Sequence, residues 1–133
     1  MNDAVVYLHS SAIIKLVFEE EETSALETFL ATRPNRVSSA LARVEVLRVA
    51  RTVSDPAVAT YAHGVLARLH LIRPDDALFR QAAAVEPLEL RALDAVHLAT
   101  ALSFGTDLDG IVVYDRQLSK AARRAGLTVW APA

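Results

Sequence analysis

Four polar residues stand where apolar runs end or are interrupted. His9 follows AVVYL, Asp115 follows GIVVY, Glu45 is flanked by valines in LARVEVLRV, and Asp94 sits near the start of the apolar stretch ALDAVHLATAL. Burying an unpaired carboxylate is costly and drives its pKa up, and a bound cation relieves that cost. The economical reading is one acidic cluster drawn from Glu45, Asp94 and Asp115, next to His9. Hard cations such as Mg2+ and Mn2+ take oxygen ligands in octahedral geometry and keep several waters, a shell that carboxylates from separate elements can supply. Such an ion polarises a phosphoryl oxygen and lowers the pKa of a bound water, so the chemistry would be hydrolysis of a phosphodiester.

Each residue also has a plainer reading. A carboxylate after a strand or at a helix start is often only an N-cap, which would suffice for Asp94 or Asp115. Glu45 has helical neighbour spacing to Arg48, and either Arg48 or Arg43 would serve as an ion-pair partner. His9 would pass as a satisfied, half-buried histidine. Spacing alone does not establish the site.

The elements that must position these residues are legible. Ala4–Leu8 and Gly110–Tyr114 read as strands buried on both faces, and Arg36–Ser38, Leu71–Ile72 and Thr128–Trp130 as shorter ones. Between them lie helical patterns: one after Ser11, Ser24–Ala31 capped by Thr23, one from Ser38 or Ser39 to about Val53, and one from Asp55-Pro56 to about Leu69. Further helices open at Pro74-Asp75-Asp76, span Leu93–Phe104 with Gly105 as the stop, and span Gln117–Ala125 with Gly126 at the end. Strands alternating with helices predict an α/β domain with a parallel sheet, whose ligands bind beyond the carboxyl ends of the strands. His9 and Asp115 then share one edge.

The 133 residues fit a single domain, 1–133, with enough chain for a real core. With no cysteine, disulfides and thiolate metal sites are excluded. The N-terminus does not read as a signal peptide, and no apolar run approaches the ~20 residues of a membrane span. The expected setting is soluble and cytoplasmic, with no membrane partner. A net charge of −2 argues against a broad phosphate-binding surface but leaves room for an enzyme that holds one scissile phosphate through a metal ion.

YLHSSAIIKL at Tyr7–Leu16 resembles the opening of the PIN-domain family, in which an apolar strand runs into Asp-Thr/Ser-Ser-Ala. LARVEVLRV is similar to that family's helix with a central Glu. LRALDAVHLATAL at Leu90–Leu102 and VVYDRQLSKAARRAGL at Val112–Leu127 resemble the VapC toxin branch, in the right order and over nearly the whole chain. The resemblance implies a three-layer α/β/α PIN-like fold with a central parallel sheet. It also implies an RNA endonuclease using Mg2+ or Mn2+, inhibited by a VapB-like antitoxin and often homodimeric. By position, Glu45, Asp94 and Asp115 correspond to three acids of the family site. Ser11 corresponds to its supporting hydroxyl residue, and Arg91 and His97 to recurrent supporting residues.

His9 is the departure, because the family has Asp there. Histidine removes a negative charge, offers nitrogen in place of carboxylate oxygen, and is bulkier, so Mg2+ should bind more weakly. The expectation is a toxin-type ribonuclease with low or no Mg2+-dependent activity in this chain. The alternative is a non-catalytic PIN domain that binds an antitoxin or RNA. A receiver-like phosphoacceptor at Asp115 fits poorly, since the first strand ends in His9 and no lysine follows the last strand. Arg123 and Arg124 could meet RNA phosphates or complement a helix dipole, and the dipole is the preferred reading.

Overall fold

In the computed structural model, which describes residues 4–133, the first apolar run forms β1 (Val5–Leu8). Side chains along a strand alternate between the two faces of the sheet. Val6 and Leu8 enter one buried cluster and Tyr7 the other, which is why the strand can be apolar throughout. The sheet is parallel, in the order β3-β2-β1-β4-β5. Its other strands are β2 (Arg36–Ser39), β3 (His70–Ile72), β4 (Leu108–Val112) and β5 (Val129–Trp130).

Helices cover both faces. On the side of Val6, Leu8 and Val112, the core takes in residues of α1 (Ser10–Val17), α2 (Thr23–Leu30), α3 (Leu41–Ala50) and α4 (Pro56–Ala67). On the side of Tyr7 and Ile111 it takes in α5 (Asp76–Ala83), α6 (Ala92–Leu102) and α7 (Arg116–Arg124). Leu8, Ile13, Leu26 and Leu98 are fully buried. Each such side chain contributes about 1.5–3 kcal/mol of transfer free energy. The expected three-layer α/β/α arrangement is thus present.

Several local signals act as the sequence suggests. Asp55 caps α4 by accepting from Ala57 N–H, with Pro56 in the first turn, and Asp75 caps α5 by accepting from Leu78 N–H. Gly126 follows the end of α7 at φ +92°, a conformation side chains with a Cβ rarely adopt.

Other expectations need correction. Thr23 does not cap α2. Its hydroxyl donates to Lys15 O and accepts from Glu20 N–H, pinning the loop between α1 and α2. Ser38 turns instead to Leu8 O, while Ser39 Oγ accepts from Leu41 N–H at the start of α3. α3 ends at Ala50 and not near Val53, because Thr52 and Val53 donate to carbonyls only three residues back and tighten the last turn. β4 begins two residues early, at Leu108, where Leu108 pairs with Val5 across an irregular step. The exposed Asp109 hides that start from a reading by apolar runs. Gly110 permits the close approach of β5, since a Cβ there would lie 2.5 Å from the Trp130 ring and 2.8 Å from Thr128 O.

Candidate active site

Parallel pairing in the register Leu8↔Val112 brings the carboxyl ends of β1 and β4 to one edge of the sheet. His9 leaves β1 there and caps α1. Its Nδ1 accepts from the Ser11 N–H at 3.3 Å and faces the Ser11 hydroxyl at 2.8 Å. A ring nitrogen that accepts an N–H bond carries no proton, so the proton of the neutral ring sits on Nε2. Nε2 donates to Asp94 Oδ1 at 3.0 Å. Ser11 Oγ in turn accepts from Tyr114 N–H at 2.9 Å, which ties the start of α1 to the segment after β4.

Asp94 lies in the first turn of α6 but is not its cap; that position belongs to Arg91, whose side chain makes no capping bond. Burial raises the Asp94 pKa, yet the His9 hydrogen bond and the favourable electrostatics of His9, His97 and Arg91 outweigh it. Its carboxyl is held below the ordinary carboxylate value.

One turn along α6, His97 is fully buried. Its Nδ1 lies 2.7 Å from the Tyr7 hydroxyl and its Nε2 lies 2.6 Å from Glu45 Oε1. Burial pushes the Tyr7 phenol well above its ordinary value, so Tyr7 stays protonated and can donate to Nδ1. That leaves Nε2–H to face Glu45. The partner of Glu45 is therefore His97 on α6, and not Arg43 or Arg48 on its own helix. The rings of His9 and His97 meet edge to face, with centroids 4.7 Å apart.

Asp115 does cap α7, accepting from Leu118 N–H at 2.8 Å through Oδ2. Its Oδ1 stands 3.9 Å from an Arg91 Nη2, and Arg91 Nε stands 3.9 Å from Asp94 Oδ2. The Arg91 side chain is 74 % exposed, so these contacts contribute little stability. What they do is set one guanidinium between two carboxylates.

All seven residues singled out in the sequence, His9, Ser11, Glu45, Arg91, Asp94, His97 and Asp115, thus fall in one connected network. Two participants were missed. Tyr7 reads as core, yet its hydroxyl reaches His97, and Tyr114 contributes through its backbone. A tyrosine inside an apolar strand carries a hydroxyl that needs a partner, and that was the available signal for Tyr7.

The network does not assemble a pocket for a hard cation as it stands. Among the described residues, no three His, Asp or Glu side chains converge on a point that could hold a metal ion. The acids each face a donor instead. Asp94 Oδ1 takes the His9 Nε2–H, Glu45 Oε1 takes His97, and Asp115 Oδ2 takes a backbone N–H. His9 thus brings a proton, not an acceptor oxygen, to Asp94.

The PIN domain family profile matches residues 6–124. "Ribonuclease VapC46" of Mycobacterium tuberculosis (strain ATCC 25618 / H37Rv) is 45 % identical over 129 residues, covering 97 % of this chain and 98 % of that protein. "Ribonuclease VapC35" of M. tuberculosis (strain CDC 1551 / Oshkosh) is 41 % identical over 135 residues, covering 96 % and 97 %. The crystal structure of M. tuberculosis VapC20, a "Sarcin-Ricin loop cleaving toxin", superposes with a TM-score of 0.74 at 14 % identity, covering 92 % of this chain and 96 % of that one. At that identity the structural likeness speaks to the fold alone. The chain belongs to the PIN-domain family.

Proposed function

We propose that this chain is the ribonuclease toxin of a toxin–antitoxin pair, built on a scaffold for Mg2+- or Mn2+-dependent RNA cleavage and attenuated at His9. The reaction assigned to the scaffold is hydrolysis of an RNA phosphodiester, with Glu45, Asp94 and Asp115 as its acids. Support comes from the near-complete overlap with curated proteins named ribonucleases and from the meeting of those acids in one network. The observation that carries the attenuation is the 3.0 Å bond from His9 Nε2 to Asp94 Oδ1.

The residues present would act as follows. Asp94 stays ionised, held so by His9, His97 and Arg91. Ser11 fixes the His9 ring from its other nitrogen. Arg91, exposed between Asp94 and Asp115, is free to turn toward a phosphate, as a planar guanidinium readily does. A metal ion, in the scaffold's full form, would supply charge stabilisation at the phosphoryl oxygen. As the side chains stand in this chain, no step is assigned to such an ion.

The partners in this reading are an RNA substrate, a VapB-like antitoxin and a second copy of the chain in a homodimer. The setting is cytoplasmic. Among the described residues no helix is long and apolar enough to cross a membrane. A second reading, a non-catalytic PIN domain that binds an antitoxin or RNA without cutting, draws on the same His9–Asp94 bond.

The test is RNA cleavage by the unsubstituted chain and by His9→Asp, each with Mg2+, Mn2+ or chelator. Metal-dependent cleavage by His9→Asp alone is the expected result. Equal cleavage by both would contradict attenuation by His9. Absence of cleavage by either, across a varied set of RNAs, would favour the binding-module reading.

A further inference from the structure

α7 carries Arg116, Lys120, Arg123 and Arg124, all exposed. Residues four apart on a helix share a face and rise about 6 Å along the axis, so Arg116, Lys120 and Arg124 make a cationic stripe. None of the ion pairs among the described residues involves any of the four. For a chain of net charge −2, this is a local concentration of unneutralised positive charge.

The helix dipole does not account for the stripe. Arg123 and Arg124 lie in the last turn, where cations are favoured, but Arg116 opens the helix, where a cation is disfavoured. Its placement runs against the local preference, so the dipole explains only the C-terminal part of the stripe.

Beside the stripe lies a cavity of about 480 Å³. Leu90 and Ala121 are its buried wall residues, with Lys120, Arg123 and Arg124 exposed along it and Glu89 as its one acid. Two of its lining residues neighbour candidate active-site residues along the chain. Leu90 is followed by Arg91, and Gln117, another lining residue, is two positions from Asp115. Arg91 and Asp115 are the pair in 3.9 Å contact.

We infer that the exposed face of α7, with the cavity beside it, is the track that holds the single-stranded RNA flanking the scissile phosphate. This rests on the ribonuclease reading above and adds where the strand runs. Cations spaced by one helical turn suit successive phosphates of an extended strand, and the apolar wall lets a sugar or base edge leave water. The local charge also resolves how an acidic protein could hold RNA, since affinity then comes from one stripe and not from net charge.

The test is fluorescence anisotropy of a short, fluorescein-labelled single-stranded RNA, in chelator so that nothing is cleaved, over a range of salt concentrations. Three proteins are compared: the unsubstituted chain, the double variant Lys120→Gln/Arg124→Gln, and Arg48→Gln/Arg51→Gln, which removes equal charge near the end of α3. All four positions are exposed, and thermal melting checks that each variant folds. The α7 pair is expected to bind roughly tenfold more weakly at low salt, with the salt slope reduced by about 0.7 for each phosphate that is no longer neutralised. The α3 pair should match the unsubstituted chain.

An equal loss in both double variants would point to bulk electrostatics and overturn the inference. Unchanged binding by the α7 pair would overturn it too, leaving the ribonuclease reading intact, as cleavage by His9→Asp would then show separately.

Discussion

His9 Nε2 lies 3.0 Å from Asp94 Oδ1, across 85 residues of chain, and this bond joins the end of β1 to the first turn of α6. It has a consequence for stability on the acid side. The Asp94 pKa is lowered in the folded chain, so its ionised form favours folding. The contribution is fully present above the unfolded value of about 3.9 and is lost as pH falls through the folded value. Urea unfolding from about pH 5 to pH 2 should show the unsubstituted chain losing more stability than Asp94→Asn. Parallel curves would mean that Asp94 is not held by its neighbours.

The Tyr7–His97–Glu45 chain predicts the opposite limb. Burial raises the Tyr7 pKa, so the folded state keeps the phenol neutral while the unfolded chain ionises. Stability is full below about pH 10 and declines above it. Tyr7→Phe should flatten that alkaline decline. At neutral pH it should cost about 1–3 kcal/mol, since it leaves the buried His97 Nδ1 without its donor. Denaturation series at neutral and alkaline pH check both parts, and an unchanged alkaline slope would remove Tyr7 as the cause.

Ser11 holds two elements together through one oxygen, facing His9 Nδ1 and accepting from Tyr114 N–H. Ser11→Ala leaves that backbone N–H without its partner and removes one of the contacts that hold the His9 ring. The expected cost is about 1–2 kcal/mol. The His9 imidazole resonances should also broaden or shift in NMR spectra. A variant with unchanged stability and unchanged His9 signals would show that the ring is held by other means.

Much of this arrangement is legible in the sequence. The apolar runs at Ala4–Leu8 and Gly110–Tyr114 mark the two central strands of the parallel sheet, and the edge rule puts His9 and Asp115 at one edge. The pairings are not legible. Glu45 has Arg48 at helical spacing on its own helix, yet it faces His97, because α3 and α6 approach each other in a way no local pattern encodes. Tyr7 reads as core for a related reason: its ring is core, and only the packing shows where the hydroxyl ends. The start of β4 is misplaced by a reading of apolar runs because Asp109 is an exposed polar residue inside a strand whose apolar part begins later.

Gly110 sharpens that last point. Adding a Cβ there would meet the Trp130 ring at 2.5 Å and Thr128 O at 2.8 Å, and the second contact is with backbone that cannot swing aside. Gly110→Ala should cost about 1–3 kcal/mol by overpacking. It should also change the fluorescence of Trp130, the chain's one tryptophan. Retention of both stability and emission would show that β5 yields more easily than its short pairing with β4 implies.

In the proposed reading, the protonated Nε2 of His9 beside Asp94 stands in for a metal-ligating oxygen. The most direct measurement is Mn2+ binding, followed by the electron paramagnetic resonance of free ion, for the unsubstituted chain and for His9→Asp. The predicted result is negligible binding by the unsubstituted chain and saturable binding by His9→Asp that is abolished when Asp94→Asn is added. Equal Mn2+ binding by the unsubstituted chain and His9→Asp would contradict it.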